Sequence, residues 1–239
     1  MTETTYTCRG CQQVFPCTEI EVLGVRFKPT ICNACDDADL KREADERQNV
    51  ARIRRQAAYD ELCPADYRGT VLERLPKPQK TQQVLQWTYG SKGLIVSGRP
   101  DDKKKEVRQG KTRSMWLLLH RIMVEEARSV VALTGGELAR EIGAAYGAGG
   151  EMGMELFERL TEADVLFIDD FGKFKVSPRV EDEILGIVEH RTSHRRPILM
   201  TTNSDRAALE AAFSPDRRGP LFDRLREFCR GVNFDKIDP

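Results

Sequence analysis

The stretch Val165-Leu166-Phe167-Ile168-Asp169-Asp170-Phe171-Gly172 constrains the fold more than any other. A short apolar run ending in two carboxylates suits a parallel strand buried on both faces, and an α/β fold follows from that. Aspartates at the C-terminal end of such a strand lie at the sheet edge where α/β proteins bind ligands. One carboxylate can hold Mg²⁺, and its neighbour can orient or deprotonate a water beside a phosphate. A plain strand end with a charged turn would explain one aspartate better than two.

Four further segments supply the rest of a parallel sheet. Gly93–Gly98 reads as a short buried strand, and Val130–Leu133, Arg196–Asn203 and Gly231–Phe234 read as three more. The first runs into a loop that ends Gln109-Gly110-Lys111-Thr112, and an apolar helix begins at once with Met115, Trp116, Leu118 and Leu119. These are the parts of a phosphate-binding loop. Backbone N–H groups and the helix N-terminus cradle the phosphates, Lys111 reaches the β- and γ-phosphates of ATP, and the Thr112 hydroxyl serves Mg²⁺. The spacing departs from the usual pattern. Eleven residues separate Gly98 from Gly110 where four are expected. The charged segment 99–109 is therefore expected to bulge away from the phosphates while Gly110 keeps the turn.

Thr134 and Glu137 form a capping box for a helix through about Tyr146, and Gly147–Gly153 is expected to be a loop before a short helix, Met154–Leu160. Ser177 and Pro178 suit a helix start. Asn203 at the fourth strand's end could face a γ-phosphate or cap the helix expected at Asp205–Phe213. Pro220 is expected to open the last helix, carrying Arg224 on its flank.

Seven cysteines are present, four of them paired as Cys8-Arg9-Gly10-Cys11 and Cys32-Asn33-Ala34-Cys35. Four thiolates at about 2.3 Å make a closed tetrahedral Zn²⁺ site with no position for water, a structural site. The pattern favours metal over disulfides, in a reducing, cytoplasmic setting. Cys17 lacks a paired spacing, while Cys63 and Cys229 suit small core positions. Residues 36–61 contain neither Gly nor Pro and are dense in charge, which suits a solvated helical linker or a helix lying on the second domain. The resulting organisation is a zinc module over 1–38, a linker over 39–62 and a nucleotide-binding domain over 63–239. With 38 basic and 38 acidic residues, net charge identifies no nucleic-acid binder. No apolar run approaches a membrane span, and residues 1–6 lack a signal-peptide core.

Taken in order, Gly110-Lys111-Thr112, Leu166–Gly172, Arg196–Asn203 and Phe222–Arg226 resemble the DnaC/IstB-like AAA+ ATPases, helicase loaders and transposition helpers. The resemblance spans about Cys63–Phe234. It implies a five-stranded parallel P-loop NTPase core in which Lys111 and Thr112 are Walker A residues. Asp169 becomes the Mg²⁺ ligand, Asp170 the water-activating acid and Asn203 the first sensor. Arg224 becomes an arginine finger acting on a neighbouring subunit, with Arg217 and Arg218 in reserve. It also implies ATP-dependent self-assembly, a replicative helicase or a transposase as partner, and single-stranded DNA. The helical lid of many AAA+ proteins is not expected here. A nucleotide-binding adaptor with little hydrolysis remains the reading of another class, motivated by the widened loop.

Overall fold

The computed structural model describes residues 4–17, 20–22, 25–98, 109–148, 150–172 and 177–235. The expected bulge of the phosphate loop lies outside them except for Gln109. Contacts divide the chain into two compact units, Met1–Arg54 and Arg55–Pro239.

The first unit contains two antiparallel hairpins, β1 (Thr4–Thr7) with β2 (Val14–Cys17) and β3 (Ile20–Val22) with β4 (Val25–Phe27). It also contains the greater part of helix α1 (Asn33–Leu62). The last turns of α1, residues 55–62, group with the second unit. Their packing explains why. Tyr59 is buried and its hydroxyl donates to the Trp116 carbonyl at 3.1 Å, and Arg55 Nε donates to the Val124 carbonyl at 2.9 Å.

In the second unit α2 (Ala65–Arg68), a 3₁₀ turn (Leu72–Arg74) and α3 (Pro78–Leu85) precede β5 (Gly93–Ser97). Helix α4 (Lys111–His120) continues through a π-helical turn to Glu125. Then follow β6 (Val130–Thr134), α5 (Gly135–Ala148), α6 (Gly150–Glu162), β7 (Val165–Asp169), α7 (Pro178–Ser193), β8 (Ile198–Thr202), α8 (Arg206–Ala211), α9 (Pro215–Phe228) and β9 (Cys229–Asn233). The five core strands are all parallel, in the order β6-β7-β8-β5-β9. One face packs against a core containing Leu138, Ile184, Leu221 and Leu225. The other packs against Trp87, Trp116, Leu118 and Leu119. Alternate residues of β7 enter each core: Leu166 and Ile168 one side, Val165 and Phe167 the other. Covering both faces is why the strand reads as continuously apolar.

Both expected caps form. Thr134 Oγ1 accepts from Glu137 N at 3.1 Å while Glu137 accepts from Thr134 N at 2.8 Å. Ser177 Oγ accepts from Val180 N at 3.4 Å. Two expectations are corrected. The segment expected to be a loop at 147–153 is helical wherever it is described, the end of α5 and the start of α6. Glycine's cost in a helix, about 1 kcal/mol each, is outweighed there by burial of Leu138, Ile142, Leu156 and Leu160. The last helix begins at Pro215, not Pro220. Pro215 takes the first helical position, and Ser214 is held outside by Glu181, which accepts its N–H at 3.1 Å.

Arg191 is completely buried beneath the sheet. Its guanidinium donates to the carbonyls of Leu160, Thr161, Ala163, Asp164 and Pro197 at 2.8–3.3 Å. It thereby caps the end of α6 and joins the segments that enter β7 and β8. Burial lowers its pKa to about 10, still far above neutrality.

Candidate functional site

The C-terminal ends of β5, β7 and β8 bring together the residues expected to hold a nucleotide. Gly110 adopts φ +87°, a left-handed turn that glycine permits, and delivers Lys111 into the first turn of α4. Lys111 is buried and its Nζ donates to the Gly98 carbonyl at 2.7 Å. The two ends of the widened loop thus meet across the eleven residues that separate them in sequence. Thr112 Oγ1 donates to Asp169 Oδ1 at 2.9 Å. A hydroxyl and a carboxylate this close are hard oxygen donors of the kind that hold Mg²⁺ in phosphate sites, so the pair fits that ion. Burial raises the pKa of Asp169, hydrogen bonds from Thr201 and Thr112 oppose that shift, and the neighbouring Asp170 adds to it.

Asp170 sits at φ +52°, an uncommon conformation for a residue other than glycine. The end of β8 holds it there. Asp170 N donates to Thr201 Oγ1 at 2.9 Å, Phe171 N to the Thr201 carbonyl at 2.9 Å, and Thr202 Oγ1 to the Phe171 carbonyl at 2.8 Å. Asn203 Nδ2 donates to Asp170 Oδ1 at 2.6 Å. Asn203 is no helix cap, because Asp205 performs that role by accepting from Ala208 N at 2.6 Å. The sequence analysis did not single out Thr201. Its signal was a second threonine in a strand end facing two aspartates. A cavity of about 590 Å³ adjoins Gly98, lined by Phe171, Leu209, Phe222 and Leu225 among others, and none of Lys111, Thr112, Asp169 or Asp170 lines it.

The arginines of the last third do different things. Arg191 is interior. Arg217 is bound to Asp182, whose carboxylate accepts from Nη2 at 3.1 Å and also from Nε. This pairing lowers the Asp182 pKa and raises that of Arg217. Arg218 and Arg224 are exposed and, among the described residues, carry no side-chain hydrogen bond or ion pair. Arg224 is seven residues from Arg217 on α9, so both lie on one stripe of that helix.

In the first unit the four paired cysteines converge. The Sγ atoms of Cys8, Cys11, Cys32 and Cys35 all lie within 4.8 Å of one another. Cys11 and Cys32 Sγ are 3.7 Å apart. Tetrahedral bonds of about 2.3 Å would place sulfurs about 3.8 Å apart, so the donor set fits Zn²⁺. Cys8 and Cys11 sit in the turn between β1 and β2, whereas Cys32 precedes α1 and Cys35 lies in its first turn. The N–H groups of Gly10 and Cys32 each approach Cys8 Sγ at 3.3 Å. Backbone hydrogen bonds from Cys11 and then Cys32 lower the Cys8 pKa to about 6, while contacts with Cys11, Cys32 and Cys8 push Cys35 up to about 12. Four thiols so close compete for protons, and a divalent cation would stabilise all four as thiolates. Cys17 is outside the cluster, and Cys63 and Cys229 belong to or pack on the apolar cores.

No family profile and no curated protein matches the chain. Solved structures do. A crystal structure of DnaI matches with a TM-score of 0.55 at 17% identity, over 76% of this chain and 97% of that one. The DnaC helicase loader matches with a TM-score of 0.50 at 17% identity, over 74% and 98%. The replication initiator DnaA bound to AMPPCP and single-stranded DNA matches with a TM-score of 0.54 at 15% identity, over 73% and 51%. The five-stranded parallel fold is shared with these structures. The chain spans about half the length of the DnaA structure from Aquifex aeolicus, 45% of it, and 49% of a DNA replication initiation factor. No described helix is long and apolar enough to cross a membrane.

Proposed function

We propose that the chain is a replication ATPase that loads a replicative helicase, binding ATP with Mg²⁺ and acting with single-stranded DNA. The observation that carries this reading is the convergence of Lys111, Thr112, Asp169, Asp170 and Asn203 at one edge of the sheet. Lys111 would exchange the Gly98 carbonyl for the β- and γ-phosphates. Thr112 and Asp169 would hold Mg²⁺, which neutralises phosphate charge when bound. Asp170, held by Asn203, would orient and deprotonate the attacking water. Arg224, which like Arg218 is exposed and unpaired on α9 among the described residues, would complete the site of a neighbouring copy, making assembly depend on ATP. Likeness to DnaI and the DnaC helicase loader favours a loader over a transposition helper. The cysteine cluster, with Zn²⁺, would form the partner-binding module, and its paired thiols favour a cytoplasmic setting.

A second reading is a nucleotide-binding adaptor that hydrolyses little, favoured by the seven extra residues between Gly98 and Gly110. One pair of variants tests both. Lys111→Ala should weaken ATP binding about tenfold or more, through loss of a charge-assisted contact. Asp170→Asn should bind ATP normally and fail to hydrolyse it. Binding calorimetry and phosphate release measure the two. Unchanged binding by Lys111→Ala would remove the site assignment. Lys111-dependent binding without turnover in the unaltered protein would select the adaptor.

A further inference from the structure

Thr201 is given no part in the proposed reaction, yet it touches both acidic residues. The side chain is completely buried at the end of β8. Its hydroxyl donates to Asp169 Oδ1 and accepts the N–H of Asp170 at 2.9 Å. One O–H proton and one of the two lone pairs are used, a complete and directional arrangement for a hydroxyl. Asp169 Oδ1 also accepts from Thr112 at 2.9 Å, so the oxygen is fixed from two sides, by α4 and by β8. Asp170, meanwhile, occupies a left-handed conformation that costs free energy unless its surroundings impose it. The Thr201 hydroxyl is the side-chain group that accepts its N–H.

We propose that Thr201 is a positioning residue: one hydroxyl aims the Asp169 carboxylate at the metal and holds the Asp170 backbone so that its side chain reaches Asn203. The inference rests on the nucleotide-site reading above. It assigns to a neutral threonine the coupling of the metal-binding and water-activating halves of the site. Phosphate contacts through Lys111 do not pass through this hydroxyl. Loss of the hydroxyl should therefore spare Mg²⁺-free nucleotide binding and act where the metal and the water are handled.

The test compares Thr201→Val, which keeps the shape and deletes the hydroxyl, with Thr201→Ser, which keeps the hydroxyl and deletes a methyl. Lys111→Ala serves as the control for the site itself. ADP and ATP affinities are measured by calorimetry with and without Mg²⁺, alongside phosphate release and the thermal midpoint of ligand-free protein. Thr201→Val should bind ATP without Mg²⁺ like the unaltered protein and need about 10–100-fold more Mg²⁺ to reach the tight complex, the usual size of an outer-shell effect. Its kcat should fall with little change in KM, and Thr201→Ser should restore both. If Thr201→Val does not fold, Thr201→Cys, similar in size with a weaker donor, should fall between Ser and the loss. Normal Mg²⁺ dependence in Thr201→Val overturns the inference alone, provided Lys111→Ala still weakens binding. Equal defects in Thr201→Val and Thr201→Ser, tracking the thermal midpoint, reduce Thr201 to a packing role and also overturn it. Unimpaired binding by Lys111→Ala overturns the site reading, and this inference with it.

Discussion

The two units solve the problem of folding by different means. Among the described side chains the first unit buries one apolar-class residue, Cys8, which is itself a member of the cysteine cluster. The second unit buries the two tryptophans and dozens of aliphatic and aromatic positions on both faces of a sheet. Small segments that cannot bury enough apolar surface need a staple, and a metal supplies it. A five-stranded α/β core needs none. The stability of one unit should therefore respond to chelators and thiol chemistry, and that of the other to cavities.

The largest effect that follows is on the first unit. Cys8→Ser, or a strong chelator, should abolish stoichiometric zinc and the protection of residues 4–35 from hydrogen exchange. Protection of the second unit should persist. Metal analysis of reduced protein and exchange mass spectrometry read both, and a full-length loss of protection would erase the contrast between the units. Next in size is Arg224→Ala. It should bind ATP nearly as the unaltered protein does and hydrolyse it about 10³-fold more slowly, the lower range for an arginine finger. Mixing with Asp170→Asn protein should restore part of the rate, since one class of interface then holds an intact acid and an intact finger. Turnover per chain that is independent of concentration, without rescue, would confine the activity to single copies. Smaller again is Phe167→Ala. Phe167 is buried on β7 with its ring 5.8 Å from Trp116, edge to face. Its removal should cost about 3–5 kcal/mol and lower the second unit's unfolding midpoint while leaving the zinc content intact.

What the sequence made legible was local. The β7 run with its two aspartates, the Gly-Lys-Thr at a helix start, and the two Cys-x-x-Cys pairs are short patterns whose chemistry is carried by neighbours in the chain. The parallel sheet followed from placing the apolar runs in order, and the resemblance carried by the ordered motifs implied that Lys111, Asp169 and Asn203 would meet. Less legible were features decided by distant packing. Glycines at 147, 149, 150 and 153 signal a loop, yet helices α5 and α6 reach into that segment because their apolar stripes are buried against α7 and the sheet. Pro220 signals a helix start, but the Glu181 carboxylate, far away in sequence, holds Ser214 and fixes the start of α9 earlier. Thr201 escaped notice because a hydroxyl acquires meaning only from what stands opposite it.

Arg191 has a consequence of its own. Most charged side chains that hold proteins together answer to another ionisable group, and acid can silence that partner. The five acceptors around this guanidinium are peptide carbonyls, which take up no proton in the range a cell visits. The joint beneath β7 and β8 is thus indifferent to acidification. Salt also reaches it poorly, because it is sealed from solvent. Whatever pH and ionic strength do to the exposed pairs, such as Arg217 with Asp182, the two strands that lead into Asp169, Asp170 and Asn203 keep a fixed footing.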